Sequence, residues 1–362
     1  MPSMAGGGAE RQLTYLCREL VTLGWDVHVA FVHGGPNLSR LEASGATVHR
    51  LAASGNYDPR ILSGLVRVIR AVKPDVMQCW LLQMEVLGGL AARWTRTPWV
   101  FSERASEQAY PRTFKMWLRR KIGSIATAIV SNSRAGDQYW QRIVTAKVRR
   151  YIIPNGIPLE EIDRAPTAHL TDAPAASQTP ILLNAGRFEY QKNFETFVRA
   201  LHIVARERAF LALCCGEGPL RGRIEALATE LALDSHVRFA GYAPNLWALM
   251  KRADLVVSTS FFEGSPNVVL EAMACGCPLV VSEIPTHREI LDEETAVFVN
   301  PGDPQQIART LVQVLNDREG ATRRAAQARA RVQRYSLPAV AREYARVYGE
   351  ISNGDDSTPA AE

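Results

Sequence analysis

Two carboxylates, an arginine and a lysine are the groups of this 362-residue chain whose types and spacing could do chemistry together. Glu263 and Glu271 end the stretch Glu263-Gly-Ser-Pro-Asn-Val-Val-Leu-Glu271, and Arg187 and Lys192 lie in Gly186-Arg-Phe-Glu-Tyr-Gln-Lys-Asn193. Val268, Val269, Leu270, Ala272, Met273 and Ala274 make the helix after Glu263 apolar nearly all round, so Glu271 is expected to be buried. A buried carboxylate needs donors, which a ribose diol or a core arginine would supply. Ser265 suits the N-cap of this helix and Pro266 its first position, and the amides of Asn267 and Val268 would attract an anion such as phosphate. A guanidinium fork and an ammonium, as in Arg187 and Lys192, would hold a diphosphate and stabilise its charge as it departs.

Strand-like Asp254-Leu-Val-Val-Ser-Thr-Ser260 runs into the Glu263 stretch, and Cys277-Pro-Leu-Val-Val-Ser282 follows its helix. This is a strand-loop-helix-strand unit of a parallel sheet, in which ligands sit at the carboxyl ends of the strands. Ile181-Leu-Leu-Asn-Ala185 delivers Arg187 and Lys192 to the same edge. In Cys215-Gly-Glu-Gly-Pro219, Gly216 and Gly218 would let a ligand approach the backbone, and a base could lie against Gly241-Tyr-Ala-Pro244 at Tyr242. Turn chemistry alone also explains either segment.

Strands and helices alternate along the whole chain, which predicts doubly wound α/β structure in two domains. Residues 1–158 form an N-terminal, acceptor-side Rossmann-like domain, and 159–180 read as a linker. Residues 181–334 form a C-terminal, donor-binding Rossmann-like domain. Residues 335–353 are expected as a helix packing back on the first domain, and 354–362 as a disordered tail. The chain opens on Gly6-Gly-Gly-Ala-Glu10 directly before an amphipathic helix. Such a turn normally follows a strand, so the first strand is expected to be missing, with the true start upstream.

An apolar content of 47%, a charged content of 22% and a net charge of +5 suit a soluble protein that touches phosphates or anionic lipid, with no nucleic-acid partner. The six cysteines have no metal-ligand spacing beyond a weak Cys275-Gly-Cys277 and read as reduced thiols of a cytoplasmic protein. No apolar run is long enough to span a bilayer. From Gln108 to Gly136 there is no acidic residue, whereas Arg112, Lys115, Arg119, Arg120, Lys121 and Arg134 are basic. With Phe114, Trp117, Leu118 and Ile122 at helical spacing, 111–124 is an amphipathic basic helix that either docks on an anionic membrane surface or turns its apolar stripe to the core.

Gly6-Gly-Gly-Ala-Glu10, Pro154-Asn-Gly156, Gly186-Arg187 with Lys192, Gly216-Glu-Gly218, Glu263 and Glu271, in that order, resemble the retaining glycosyltransferases of family 4 over nearly the whole chain. The resemblance implies the GT-B architecture, two Rossmann-like domains facing each other across a cleft. It implies transfer of a hexosyl or N-acetylhexosaminyl group from a UDP- or GDP-sugar to a lipid-linked or glycan acceptor in cell-surface glycan assembly. No metal or other cofactor is expected, and the protein would be cytoplasmic, peripheral on the membrane face. Arg187 and Lys192 would then meet the diphosphate, Glu263 the sugar, Glu271 the ribose, and Gly7 and Gly8 the donor phosphate. Many relatives carry a histidine at a strand end like Phe101-Ser-Glu-Arg104, but none occurs here between His49 and His169. Glu103 and Arg104 are therefore the acceptor-side candidates, with a structural salt bridge as the alternative. The rival functions are a nucleotide-sugar epimerase of the same fold and a non-catalytic nucleotide-sugar or partner-binding module.

Overall fold

A computed structural model describes residues 1–56, 58–105, 107–111, 113–168 and 179–353. Arg112, the later part of the expected linker (169–178) and the tail 354–362 lie outside the described residues. The chain divides into two compact units: Met1–Gly156 with the segment from Tyr335 onward, and Ile157–Arg334.

In the first unit, β1 (His28–Phe31) pairs in parallel with β2 (Thr47–Arg50). A separate parallel sheet has the order β3 (Met77–Cys79), β4 (Trp99–Glu103), β5 (Ala128–Ser131), β6 (Arg149–Ile152). Every residue of β4 and β5 is buried, the mark of parallel strands covered on both faces. Among the described residues no strand precedes the helix Gly8–Thr22, and the chain ahead of it is tied down by an isolated bridge and a few backbone bonds. Ser3 bridges His33 in the parallel sense, the His33 N–H donates to the Pro2 carbonyl (3.0 Å), and the Met4 N–H donates to the His33 carbonyl (2.9 Å). Met1 and Met4 are buried apolar side chains, which is what draws so few residues into the core. The helix Leu337–Ser352 shares that core, packing Tyr344, Val347 and Ile351 with Leu13, Leu16 and Leu20 of the helix Gly8–Thr22.

The second unit contains β7 (Ile181–Ala185), β8 (Leu211–Cys215), β9 (Val237–Gly241), β10 (Leu255–Ser258), β11 (Leu279–Ser282) and β12 (Val297–Val299). All pair in parallel, in the order β12-β11-β10-β7-β8-β9. The order reverses between β10 and β7, so the crevice of this sheet opens above those two strands. The expected linker is corrected at its start, because Leu159–Arg164 is a helix of this unit. Glu160 and Arg164 pair one turn apart, Ile162 is fully buried, and the Lys251 ammonium donates to the Asp163 and Ala165 carbonyls at 3.0 and 2.6 Å. All six cysteines are free thiols, and all but Cys275 are buried.

Candidate active site

The reversal in strand order brings the loop after β7 beside the loop after β10. From the first comes Lys192, whose ammonium lies 2.6 Å from Oε1 of Glu263 in the second. Glu263 is buried and also accepts from Ser260 Oγ (2.7 Å) and Gln191 Nε2 (3.0 Å). Lys192 is held in place by its neighbour Asn193, which occupies the left-handed region (φ 51°), a conformation asparagine tolerates. The Asn193 amide donates to the Thr259 and Pro301 carbonyls (3.0 and 2.7 Å), and its oxygen caps the helix Phe194–Val204. Arg187 is 74% exposed and pairs with Glu189 at 3.4 Å. Phe188 anchors it from the other side, fully buried and stacked on Phe194 at 4.0 Å. The loop thus holds one fixed cation and one that reaches into solvent.

Gly216 and Gly218 stand against the backbone of the loop that carries Arg187. A Cβ on Gly216 would stand 1.9 Å from the Gly186 carbonyl oxygen, and one on Gly218 would stand 2.6 Å from the Phe188 nitrogen and oxygen. The two loops are joined by the Gly186 N–H to the Cys215 carbonyl (2.9 Å) and the Phe188 N–H to the Glu217 carbonyl (3.0 Å). These glycines therefore admit the neighbouring loop, and through it they fix where Arg187 begins. Tyr242 is exposed at the edge beyond β9.

The helix carrying Glu271 spans Asn267–Cys275, with Pro266 rather than Ser265 at its N-cap position. The Pro266 carbonyl accepts from the Val269 and Leu270 N–H groups (3.0 and 3.1 Å). Of the two amides expected to face an anion, that of Asn267 donates to the Ser265 carbonyl (3.0 Å); Val268 is half-buried one residue on. Glu271 is buried, with Leu270, Ala272 and Met273 buried around it. His287, which its sequence neighbours place in no triad or metal cluster, lies close enough to Glu263 and Lys192 to feel both charges. Its ring nitrogen Nδ1 is 2.8 Å from the Ser282 carbonyl, and burial holds its pKa below the usual histidine value. Its only sequence signal was the proline that opens the short helix Pro285–Arg288.

In the first unit, Gly7 is the N-cap residue of the helix Gly8–Thr22, and the carboxylate of Glu10 lies against it. Glu103 is fully buried and accepts from Arg119 Nη1 (3.0 Å), Trp140 Nε1 (2.8 Å), the Ala105 N–H (3.0 Å) and the Tyr110 hydroxyl. Four donors and no exposure favour the structural alternative for this residue. Arg104 is half-buried, bonded to Asn155 and to the Tyr344 hydroxyl (3.3 Å), with its guanidinium 4.3 Å from the Trp80 ring centroid.

Arg119, read as part of the basic surface, is corrected to the core. Its Nε lies 2.5 Å from Glu85, and its guanidinium stands over the rings of Phe101 and Tyr110 at 4.7 and 4.5 Å. The apolar stripe is not all buried either. Phe114 is 73% and Trp117 45% exposed, stacked on each other at 5.4 Å, and Lys115, Arg120 and Lys121 are exposed beside them.

Two sequence families divide the chain between them: "Glycosyltransferase Family 4" matches residues 6–161 and "Glycosyl transferases group 1" matches 169–331. The chain is a GT-B glycosyltransferase of the family 4 type. A lipopolysaccharide core biosynthesis glycosyltransferase, LpsE of Rhizobium meliloti, is 28% identical to this transferase over 337 residues, 88% of each chain. The N-acetylgalactosamine-N,N'-diacetylbacillosaminyl-diphospho-undecaprenol 4-alpha-N-acetylgalactosaminyltransferase of Campylobacter jejuni is 27% identical over 195 residues, 53% of this chain and 52% of the relative. Among solved structures, Anabaena Alr3699/HepE in complex with UDP and glucose superposes with a TM-score of 0.85 at 20% identity, covering 97% of this chain and 98% of that one. That likeness is one of fold.

Proposed function

We propose that this transferase moves a hexosyl or N-acetylhexosaminyl group from a UDP- or GDP-sugar to a lipid-linked or glycan acceptor in cell-surface glycan assembly, with retention at the anomeric carbon and without a bound metal. The observation that carries this reading is the Lys192–Glu263 pair at the switch point, with Arg187 projecting from the same loop. The names of the R. meliloti and C. jejuni relatives, and the UDP and glucose bound to HepE, support the donor and acceptor classes. The bond from the sugar's anomeric carbon to the diphosphate oxygen breaks, and its electron pair stays on the diphosphate. Arg187 and Lys192 offset that charge. The acceptor oxygen attacks from the same face, and its proton passes to the departing diphosphate oxygen. Glu263 fixes the lysine and meets the sugar, while Glu271 accepts from the ribose hydroxyls.

Glu271→Gln should weaken UDP or GDP binding about tenfold or more, because a charged acceptor becomes an amide and a charge-assisted bond to a hydroxyl is worth about 1.5–3 kcal/mol. Calorimetric titration of the free nucleotide measures this. Unchanged affinity would assign Glu271 to the core instead.

The surface of the helix Phe114–Gly123 supports peripheral docking on anionic lipid at the cytoplasmic face. Leu90 and Trp94, on the adjoining helix Leu82–Thr95, are exposed as well. Among the described residues no helix is long and apolar enough to cross a membrane. Lys115, Arg120 and Lys121 would each add about 1 kcal/mol at such a surface. Replacing the three with Gln should release the protein from anionic vesicles in co-sedimentation, as should high salt, while leaving nucleotide binding intact. If the parent protein stays in the supernatant at low salt, the patch does not dock on lipid.

A further inference from the structure

Strand β10 lies between β7 and β11, and each neighbour holds a different residue of the loop that β10 delivers. On the β7 side, the Asn193 amide donates to the Thr259 carbonyl (3.0 Å). On the β11 side, the Ser282 hydroxyl donates to the Ser260 carbonyl (2.6 Å). A hydroxyl has one proton, so with that proton on Ser260 it can only accept from elsewhere. His287 supplies the donor. Its Nδ1 stands 2.8 Å from the Ser282 carbonyl oxygen and 3.4 Å from the Ser282 hydroxyl oxygen. Both oxygens are acceptors there, so Nδ1 carries the ring proton and Nε2 is bare. Ser260 in turn donates its own hydroxyl to Oε1 of Glu263 (2.7 Å), the oxygen that Lys192 meets at 2.6 Å. His287, Ser282, Ser260 and Glu263 are all buried. Among the described residues, Nε2 of His287 has no hydrogen-bond partner. A leucine or methionine would avoid the cost of that buried nitrogen, so packing alone does not account for a histidine here.

We propose that Ser282 and His287 are positioning residues of the transfer, setting the Glu263 carboxylate against Lys192 through Ser260. This rests on the reading above in which Glu263 meets the donor sugar and Lys192 the diphosphate. His287 fixes Ser282, Ser282 orients the backbone of Ser260, and the Ser260 hydroxyl aims at Oε1. Without the relay, Glu263 keeps Lys192 and Gln191 but loses the restraint that comes from β11. Ser282 and His287 are fully buried, so neither touches substrate. Nucleotide binding, which the reading gives to Arg187 and Glu271, is therefore not expected to depend on them.

Turnover is read as release of UDP or GDP from UDP-glucose, UDP-N-acetylglucosamine and GDP-mannose, and the donor that the parent protein turns over fastest is used for the variants. Ser282→Ala and His287→Ala should each lower kcat about tenfold or more, with KM and the Kd of the free nucleoside diphosphate unchanged, because misplacing a group at the reacting centre slows the bound step. His287→Asn puts an amide N–H near the place of Nδ1 and should keep most of the rate. His287→Gln, whose amide reaches the place of Nε2, should not. In Ser260→Ala combined with Ser282→Ala the two losses should not add, since both act through one carboxylate. Thermal unfolding follows every variant, and should His287→Ala fail to fold, the two serines decide. A lowered Tm with unchanged kcat, equal rates for His287→Asn and His287→Gln, or additive losses at Ser260 and Ser282 would overturn the proposal while leaving the role of Glu263 standing. If instead Glu263→Gln keeps the parent kcat, the reading of Glu263 fails and the relay falls with it.

Discussion

Arg187→Ala should lower kcat about a hundredfold or more and leave the fold almost untouched. The side chain is 74% exposed and its pair with Glu189 is long, so removing it should change stability by no more than about 0.5 kcal/mol. Losing one donor to the charge that develops on a departing diphosphate costs about 3 kcal/mol in the transition state. Arg187→Lys should recover only part of the rate, because a single ammonium lacks the planar fork that grips two phosphate oxygens. Turnover measured with thermal unfolding separates the cases. Wild-type turnover in a folded Arg187→Ala protein would remove this residue from the donor site.

The second large effect is on stability. Arg119→Ala should destabilise the first unit by about 3–5 kcal/mol, since it strands Glu85 and Glu103 in the core without their shared cation. Burial already pushes the Glu85 carboxyl up to about 7 against the pull of Arg119. A folded-state pKa above the unfolded value means that the native protein holds this proton more tightly. The contribution of Glu85 is therefore complete below its ordinary value near 4.5 and is lost as pH rises through about 7. Urea denaturation should show this decline in the parent protein, a flatter profile in Glu85→Gln, and a smaller loss for Arg119→Ala made in the Glu85→Gln background. A loss under about 1 kcal/mol for Arg119→Ala alone would return the residue to the surface.

Both residues show what the sequence made visible. Arg187 and Lys192 could be placed because alternation of strand and helix locates strand ends, and a doubly wound sheet puts its ligands there. That Lys192 meets Glu263 depends on which strands are neighbours, and here the order β10-β7 joins residues 71 apart in sequence. Arg119 stood in a run with Arg120 and Lys121, so charge alone put all three on one surface. Its partners are 34 and 16 residues upstream on other elements, and no local pattern reports them. Gly216 and Gly218 were legible as glycines at a turn. What they make room for was not, since the closeness of the Gly186–Phe188 backbone arises from packing between two loops. The same limit applied to the start of the chain, where Pro2 and Met4 bond His33 just beyond β1, contacts that no local pattern reports.

The donor diphosphate is the centre of the account, and binding of UDP against UMP, with GDP against GMP, tests it most directly. One diphosphate should bind the parent protein at least about tenfold more tightly than its monophosphate, reflecting charge-assisted bonds to the second phosphate, and Arg187→Ala should erase most of that difference. Equal affinity for the diphosphate and monophosphate of both nucleosides, or a preference that Arg187→Ala leaves unchanged, would contradict it.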